Sequence, residues 1–262
     1  MALTIAGSDP SGGAGIQADL KTFQQFGVYG EAVITLITVQ NTRQVTRVEP
    51  LPAALVMEQI GAVLSDIPPA AAKTGALGSV EVVEAVAEFA ASFPFPLVVD
   101  PVIISKHGAR LVTPEAEKSM KEKLLPHAFL VTPNIPEAEC LTGIAIHSQR
   151  DMIEAGRRLL EFGCRAALVK GGHLEGEAID VLCDSESVRE FPAPRVSTRH
   201  THGTGCTYSA AITSGLALGM SLETAVQHAK TYIHRAIESA PGLGGGSGPV
   251  NHFAAIHERR PA

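Results

Sequence analysis

Short, strongly apolar runs alternate along this chain with longer stretches of helical period, and that alternation leaves few architectures open. Strand-like runs cover residues 3–6, 32–39, 70–74, 97–99, 129–131 and 166–170. Helical patterns cover 14–26, 53–64, 80–91, 114–125 and 151–162, and two closing helices are predicted over 205–218 and 222–239. A hairpin is predicted over 179–183 and 188–191. Near-continuous apolar strands suit a parallel sheet that is covered on both faces. The pattern therefore predicts an α/β fold, with a mostly parallel central sheet and helices on both faces. The punctuation agrees. Thr113 stands before Pro114 as an N-cap, and proline at the first helical position loses no hydrogen bond. Gly163 closes the helix over 151–162, and Ser221 caps the last one.

No internal repeat and no Pro/Ser-rich linker interrupts the 262 residues, so a single domain is expected over 1–254, with 255–262 a frayed tail. Residues 242–248 read as a linker, but the Pro249-Val250-Asn251-His252-Phe253 that follows reads as ordered packing. An apolar share of 45% excludes disorder for most of the chain. With a net charge of −6 and no basic cluster, nucleic acid is not an expected partner. No run of 18 apolar residues is present, so no membrane helix is expected, and the start has no basic-then-apolar signal segment. Four cysteines without a CxxC pair suit a reducing cytoplasm better than a disulfide scaffold or a Cys-rich zinc site.

Ligands of open parallel sheets sit beyond the carboxyl ends of the strands, so polar groups just after a strand are the candidates. The strongest is Thr201-His202-Gly203-Thr204-Gly205-Cys206, directly before an apolar helix. Its glycines let the backbone approach a ligand, and amides at a helix N-terminus attract anions such as a phosphoryl group in flight. A plain tight loop would look similar, and no Walker A pattern is present. Cys206 lies where a helix dipole lowers a thiol pKa, which leaves nucleophile, general base and inert core cysteine all open. The first strand runs into Gly7-Ser8-Asp9-Pro10-Ser11-Gly12-Gly13-Ala14-Gly15, a loop opening a helix that bears Asp19, without a clean dinucleotide fingerprint. Gln40 and Asn41 end the second strand. They form either a turn pair or amides that read the edge of a heterocycle. Asp100 ends another strand and suits Mg²⁺, or else caps a loop. Asn134 and Glu137 have capping-box spacing and could also lie near a metal or its waters. Lys170, before Gly171-Gly172, is placed to touch phosphate, or is a bare surface lysine. His200 and His202 invite zinc but lack a third ligand at suitable spacing, and the spacing around Lys230 leaves its face undecided.

Taken together these segments resemble the ribokinase-like superfamily. More narrowly they are similar to the hydroxymethylpyrimidine and phosphomethylpyrimidine kinases of thiamine biosynthesis. The carriers run from the Gly7–Gly15 loop through Val39-Gln40-Asn41-Thr42, Thr132-Pro133-Asn134-Ile135-Pro136-Glu137 and Lys170-Gly171-Gly172-His173 to the Gly203 loop and Gly248-Pro249-Val250-Asn251-His252-Phe253. The resemblance implies a ribokinase-like fold and a usual homodimer. The implied reaction is ATP-dependent phosphorylation of 4-amino-5-hydroxymethyl-2-methylpyrimidine and then of its monophosphate. It further implies that Gln40 bonds the aminopyrimidine edge, with Asp19, Thr38 and Val102 lining the pocket. Gly203, Thr204 and Gly205 would form an anion hole, and Cys206 would take the place of the catalytic base. Lys170, Thr204 and Lys230 would serve ATP, and Asp100, Asn134 and Glu137 would organise Mg²⁺ and its waters. One position departs from the pattern: Ala76 follows Lys73-Thr74-Gly75 where the family often has Met, which enlarges the pocket. The alternatives are a pyridoxal or pyridoxine kinase of the same fold and a non-catalytic pyrimidine or nucleotide sensor.

Overall fold

A computed structural model of the chain describes residues 1–103, 112–174 and 176–256. Among the described residues nine strands form one sheet in the order β3-β2-β1-β4-β5-β6-β7-β8-β9. The parallel centre consists of β2 (Gly30–Gln40), β1 (Ala2–Ser8), β4 (Ala71–Thr74), β5 (Leu97–Val99), β6 (Leu130–Val131) and β7 (Ala166–Val169). Three antiparallel strands flank it: β3 (Val45–Pro50) at one edge, and the expected hairpin β8 (Asp180–Asp184) and β9 (Val188–Phe191) at the other.

Successive strand residues feed opposite cores, as the two-residue period requires. Leu3, Ile5, Val99, Val131 and Val169 pack beneath α2 (Ala53–Asp66), α3 (Val80–Ala90), α5 (Ile135–Thr142) and α6 (Gln149–Leu160). Ala2, Val98, Leu130 and Leu168 pack beneath α1 (Gly15–Gln25), α7 (Thr204–Ala217) and α8 (Leu222–Glu238). The two N-caps are those read from sequence, Thr113 accepting from the Ala116 N–H and Ser221 from the Thr224 N–H, whereas α6 ends earlier than expected, with Glu161 as its C-cap and Gly163 at φ +94° two residues beyond.

Two details differ from the pattern. The helix expected over 114–125 is α-helical only as α4 (Pro114–Ser119), then passes through a π turn (Met120–Leu124) into a 3₁₀ turn (Leu125–His127). Pro126 has no N–H to continue an i→i−4 ladder. Strand β3 was not anticipated, because none of its residues is buried and its sequence carries no apolar pattern. Residues 242–248 are folded against the β2–β3 turn, where the Ser247 N–H donates to Thr42 O at 2.8 Å. The tail expected at 255–262 lies, apart from residues 255 and 256, outside the described residues. Among the described residues no helix is long and apolar enough to cross a membrane.

Candidate active site

The carboxyl ends of the parallel strands open into a cavity of about 580 Å³. Gln40, Thr38, Val102, Asp100, Asn134, Glu137, Lys170, Lys230, Cys206 and the Gly203–Thr204–Gly205 turn all line it. A second cavity, of about 550 Å³, lies between α6 and the β7–β8 connection. It reaches none of these groups.

The Gly203 turn is built as an anion site. Gly203 is the N-cap of α7 at φ +77°, and no side chain caps the helix. The first-turn amides therefore have no acceptor inside the helix and carry the positive end of its dipole. Thr204 turns its hydroxyl back to Thr201 O at 2.7 Å, and its amide faces the same oxygen at 3.3 Å. A Cβ built on Gly205 would lie 3.5 Å from Lys170 Nζ and 3.7 Å from Asp100 Oδ2. A lysine just past β7, a carboxylate just past β5 and the amide end of α7 thus converge on one point.

Charge there is closely balanced. Lys170 Nζ donates to Asp100 Oδ1 at 3.1 Å, and Thr132 and Ser209 hydroxyls also donate to that carboxylate, each at 3.3 Å. Burial works against the Lys170 ammonium, but Asp100 and Glu137 hold its pKa above the ordinary lysine value. Asn134 and Glu137 form the expected capping box: Asn134 Oδ1 accepts the Glu137 N–H and Glu137 Oε2 accepts the Asn134 N–H, both at 2.9 Å. Burial pushes the Glu137 carboxyl up to about 7 against the pull of Lys170. Lys230 reaches the cavity from α8 but already donates to Asp180 Oδ2 at 2.6 Å and Ala178 O at 2.7 Å, and an ammonium has a third N–H.

Cys206 overturns the expectation of a lowered pKa. Its thiol is half-buried in the cavity wall, and desolvation pushes it up to about 12. The nearby Lys73 ammonium opposes this, and Asp19 and Asp100 reinforce it. At this site burial outweighs the pull of Lys73.

Asp19 stands behind the wall and is not among the lining residues. It is fully buried, accepts from Lys73 Nζ at 2.8 Å and from Thr4 Oγ1 at 2.6 Å, and places an ion pair under the cavity floor. Asn41 takes the turn role: its Oδ1 accepts the Arg43 and Gln44 amides. Gln40 faces the cavity, with its carboxamide 3.1 Å from His202 Nε2. The two histidines diverge from any shared metal. His200 Nδ1 accepts the Gly248 N–H and His202 meets Asp9. Sequence reasoning gave no role to Asp9, Lys73 or Ser209, because what each does depends on partners far away in the chain.

Residues 9–251 match the family model described as Phosphomethylpyrimidine kinase. The chain belongs to the phosphomethylpyrimidine kinase family. It is 48% identical over 258 residues to the hydroxymethylpyrimidine/phosphomethylpyrimidine kinase of Streptomyces coelicolor, covering 98% of this chain and 96% of that one. It is 49% identical over 260 residues to the thiamine biosynthesis bifunctional protein ThiED of Geobacter sulfurreducens. That match takes in 98% of this chain, which spans about half (53%) of the length of that relative. Among solved structures, the phosphomethylpyrimidine kinase of Clostridium difficile 630 superposes with a TM-score of 0.80 at 48% identity, over 90% of this chain and 98% of that one. An ADP complex of Bacillus subtilis pyridoxal kinase superposes with a TM-score of 0.89 at 37% identity, over 97% of each chain. The fold of this family member is ribokinase-like, a mostly parallel sheet with helices on both faces.

Proposed function

We propose that this chain transfers the γ-phosphoryl group of ATP to 4-amino-5-hydroxymethyl-2-methylpyrimidine, and then to the monophosphate, with the residues around Gly203 carrying the transfer. The chain is an enzyme, a hydroxymethylpyrimidine/phosphomethylpyrimidine kinase of thiamine biosynthesis. The observation that carries the residue assignment is the convergence of the α7 amide end, Lys170 and Asp100 within 4 Å of one point.

Phosphoryl transfer asks for positioning and for charge stabilisation on the moving group. The Gly203, Thr204 and Gly205 backbone supplies donors where negative charge develops. Lys170 adds a point charge, and Lys230 offers its remaining N–H to the nucleotide. Gln40 reads the aminopyrimidine edge, with Thr38 and Val102 as the adjoining wall. Among the described residues no three His, Cys, Asp or Glu side chains form a ready-made metal cage. Mg²⁺ commonly binds through one or two carboxylates plus substrate phosphates, and the adjacent Asp100 and Glu137 fit that donor set. Arriving with ATP, Mg²⁺ would be held there, with Asn134 helping to order its waters, and would offset phosphate charge. Cys206 Sγ accepts the hydroxymethyl proton. Only its thiolate can do so, and a thiol pushed up to about 12 leaves that form a small fraction of the resting enzyme, so turnover runs through that fraction.

The protein works in the cytoplasm as a homodimer in this reading, and Ile37 and Val39, 48% and 54% exposed on β2, offer an apolar face for the second copy. ADP release with Mg·ATP tests the function, comparing hydroxymethylpyrimidine, its monophosphate and pyridoxal as acceptors. Turnover on both pyrimidines with pyridoxal far slower is expected. Ala76 in the cavity wall is the specific observation favouring a pyridoxal kinase, and turnover on pyridoxal alone would establish that second reading. Binding without turnover on any acceptor would establish a sensor.

A further inference from the structure

A chain of contacts runs from the first glycine-rich loop to the substrate-facing end of β2. The Asp9 carboxylate accepts from Ser11 N at 2.9 Å and Oγ at 2.7 Å, from Gly13 N at 3.2 Å, from Ala14 N at 2.9 Å, and lies 2.8 Å from His202 Nε2. Burial opposes charge on Asp9, yet the bonds from His202 and Ser11 hold its pKa below the ordinary value. An ionised carboxylate can only accept, so at 2.8 Å the His202 nitrogen facing it must carry the hydrogen. His202 is therefore in its Nε2–H form.

The same nitrogen lies 3.1 Å from Gln40 Nε2. Two N–H donors facing each other repel. Rotating the carboxamide by half a turn leaves its shape unchanged and brings Oε1 there, where it shares the single Nε2–H with Asp9 in a three-centre bond. His202 has little room to turn away: it is 4% exposed, and a Cβ built on Gly13 would sit 2.5 Å from its Cδ2. Its own backbone is pinned to Gly248 and Val250, through His202 N to Gly248 O at 3.0 Å and Val250 N to His202 O at 3.3 Å.

We propose that His202 is a positioning residue that sets the direction of the Gln40 carboxamide, with Oε1 toward the imidazole and both N–H donors left for the ligand, and so selects a ring edge whose nitrogen has a free lone pair. This rests on Gln40 reading the substrate ring. A 4-aminopyrimidine presents such a nitrogen. The corresponding 4-oxo tautomer carries hydrogen on it and would set donor against donor.

Nitrogen-15 NMR of the histidine-labelled wild-type protein should show His202 protonated at Nε2, and an Nδ1–H form with a bare Nε2 would overturn the proposal without any variant being made. Kinetics then test its consequence. H202L should lower the preference for the 4-amino over the 4-oxo acceptor, measured as the ratio of kcat/KM, by about tenfold, with KM for ATP unchanged. H202Q, which keeps a donor, should restore most of it. A folded H202L that keeps the wild-type preference would overturn the role of His202. A Q40L variant with unchanged KM for the pyrimidine would instead overturn the reading of Gln40 and its selection of the ring edge together, whatever the NMR result.

Discussion

Gly203 passes so close to Gly13 that a Cβ on it would sit 1.7 Å from the Gly13 carbonyl oxygen. The two glycine-rich loops, 190 positions apart in the chain, are in backbone contact, and the anion site depends on that contact. Gly203→Ala would add both the clash and a side chain at φ +77°, a strain on the order of 1–3 kcal/mol before the clash is counted. Turnover is expected to fall by at least about a hundredfold, the range for losing an aligned oxyanion donor. Wild-type ADP release from the variant would show that the loop plays no part in the transfer.

If Cys206 accepts the proton, its elevated pKa imposes a pH signature. The thiolate fraction grows about tenfold per pH unit up to a pKa of about 12, so kcat should climb through pH 7–10 without a plateau, as far as proton acceptance limits the rate. Iodoacetamide should label this thiol slowly at pH 7, because the thiolate is the reactive form. Cys206→Ser should keep the fold and ATP binding while losing most turnover. Full activity in that variant would show that the thiol is not the base.

The Lys73–Asp19 pair is completely buried, and removing one member strands the other without water. Lys73→Met should cost about 3–5 kcal/mol in urea unfolding. The double variant Lys73→Met/Asp19→Leu should recover much of that loss, because neither position then holds a charge. Equal destabilisation by the single and double changes would mean that packing, not charge, holds this place.

Glu137 titrates at about 7 when folded and at about 4.5 as a free carboxyl. An acid with a raised folded pKa releases its proton more readily when unfolded, so stability falls as pH rises from 4.5 to 7 and is level above that. The wild-type protein should therefore lose about 2 kcal/mol from this group between pH 5 and 8. Glu137→Gln, whose amide oxygen can still accept the Asn134 N–H, should lose correspondingly less. Urea midpoints of both proteins at the two pH values test this, and parallel shifts would show that Glu137 is ionised throughout.

Ala76→Met would fill part of the cavity wall. It should lower kcat/KM for pyridoxal relative to hydroxymethylpyrimidine, by about three- to tenfold if one or two methylenes of pocket fit are at stake. An unchanged ratio would place the discrimination elsewhere.

Much of this was legible in the chain because it is local. Asn134 and Glu137 are three residues apart and show their capping box in the spacing, and buried strands such as Ala166–Val169 announce themselves by unbroken apolar character. Strand β3 escaped because no face of it is buried, so selection for a core left no mark on Val45–Pro50. The Gly203–Cys206 turn stood out because two glycines before an apolar helix have a strong local meaning. The tasks of Asp9 and His202 did not, since each is completed by a partner from the other end of the molecule.

Protonation and orientation lay beyond the sequence for a physical reason. Periodicity, caps and glycine-dependent turns are set by neighbours along the chain, and these determined the α/β layering and the segments that would meet at the strand ends. Desolvation and hydrogen-bond polarity are set by neighbours in space. Only the tertiary structure could decide that Cys206 is held as a neutral thiol, that Asp19 lies behind the cavity wall against Lys73, and that Gln40 meets His202.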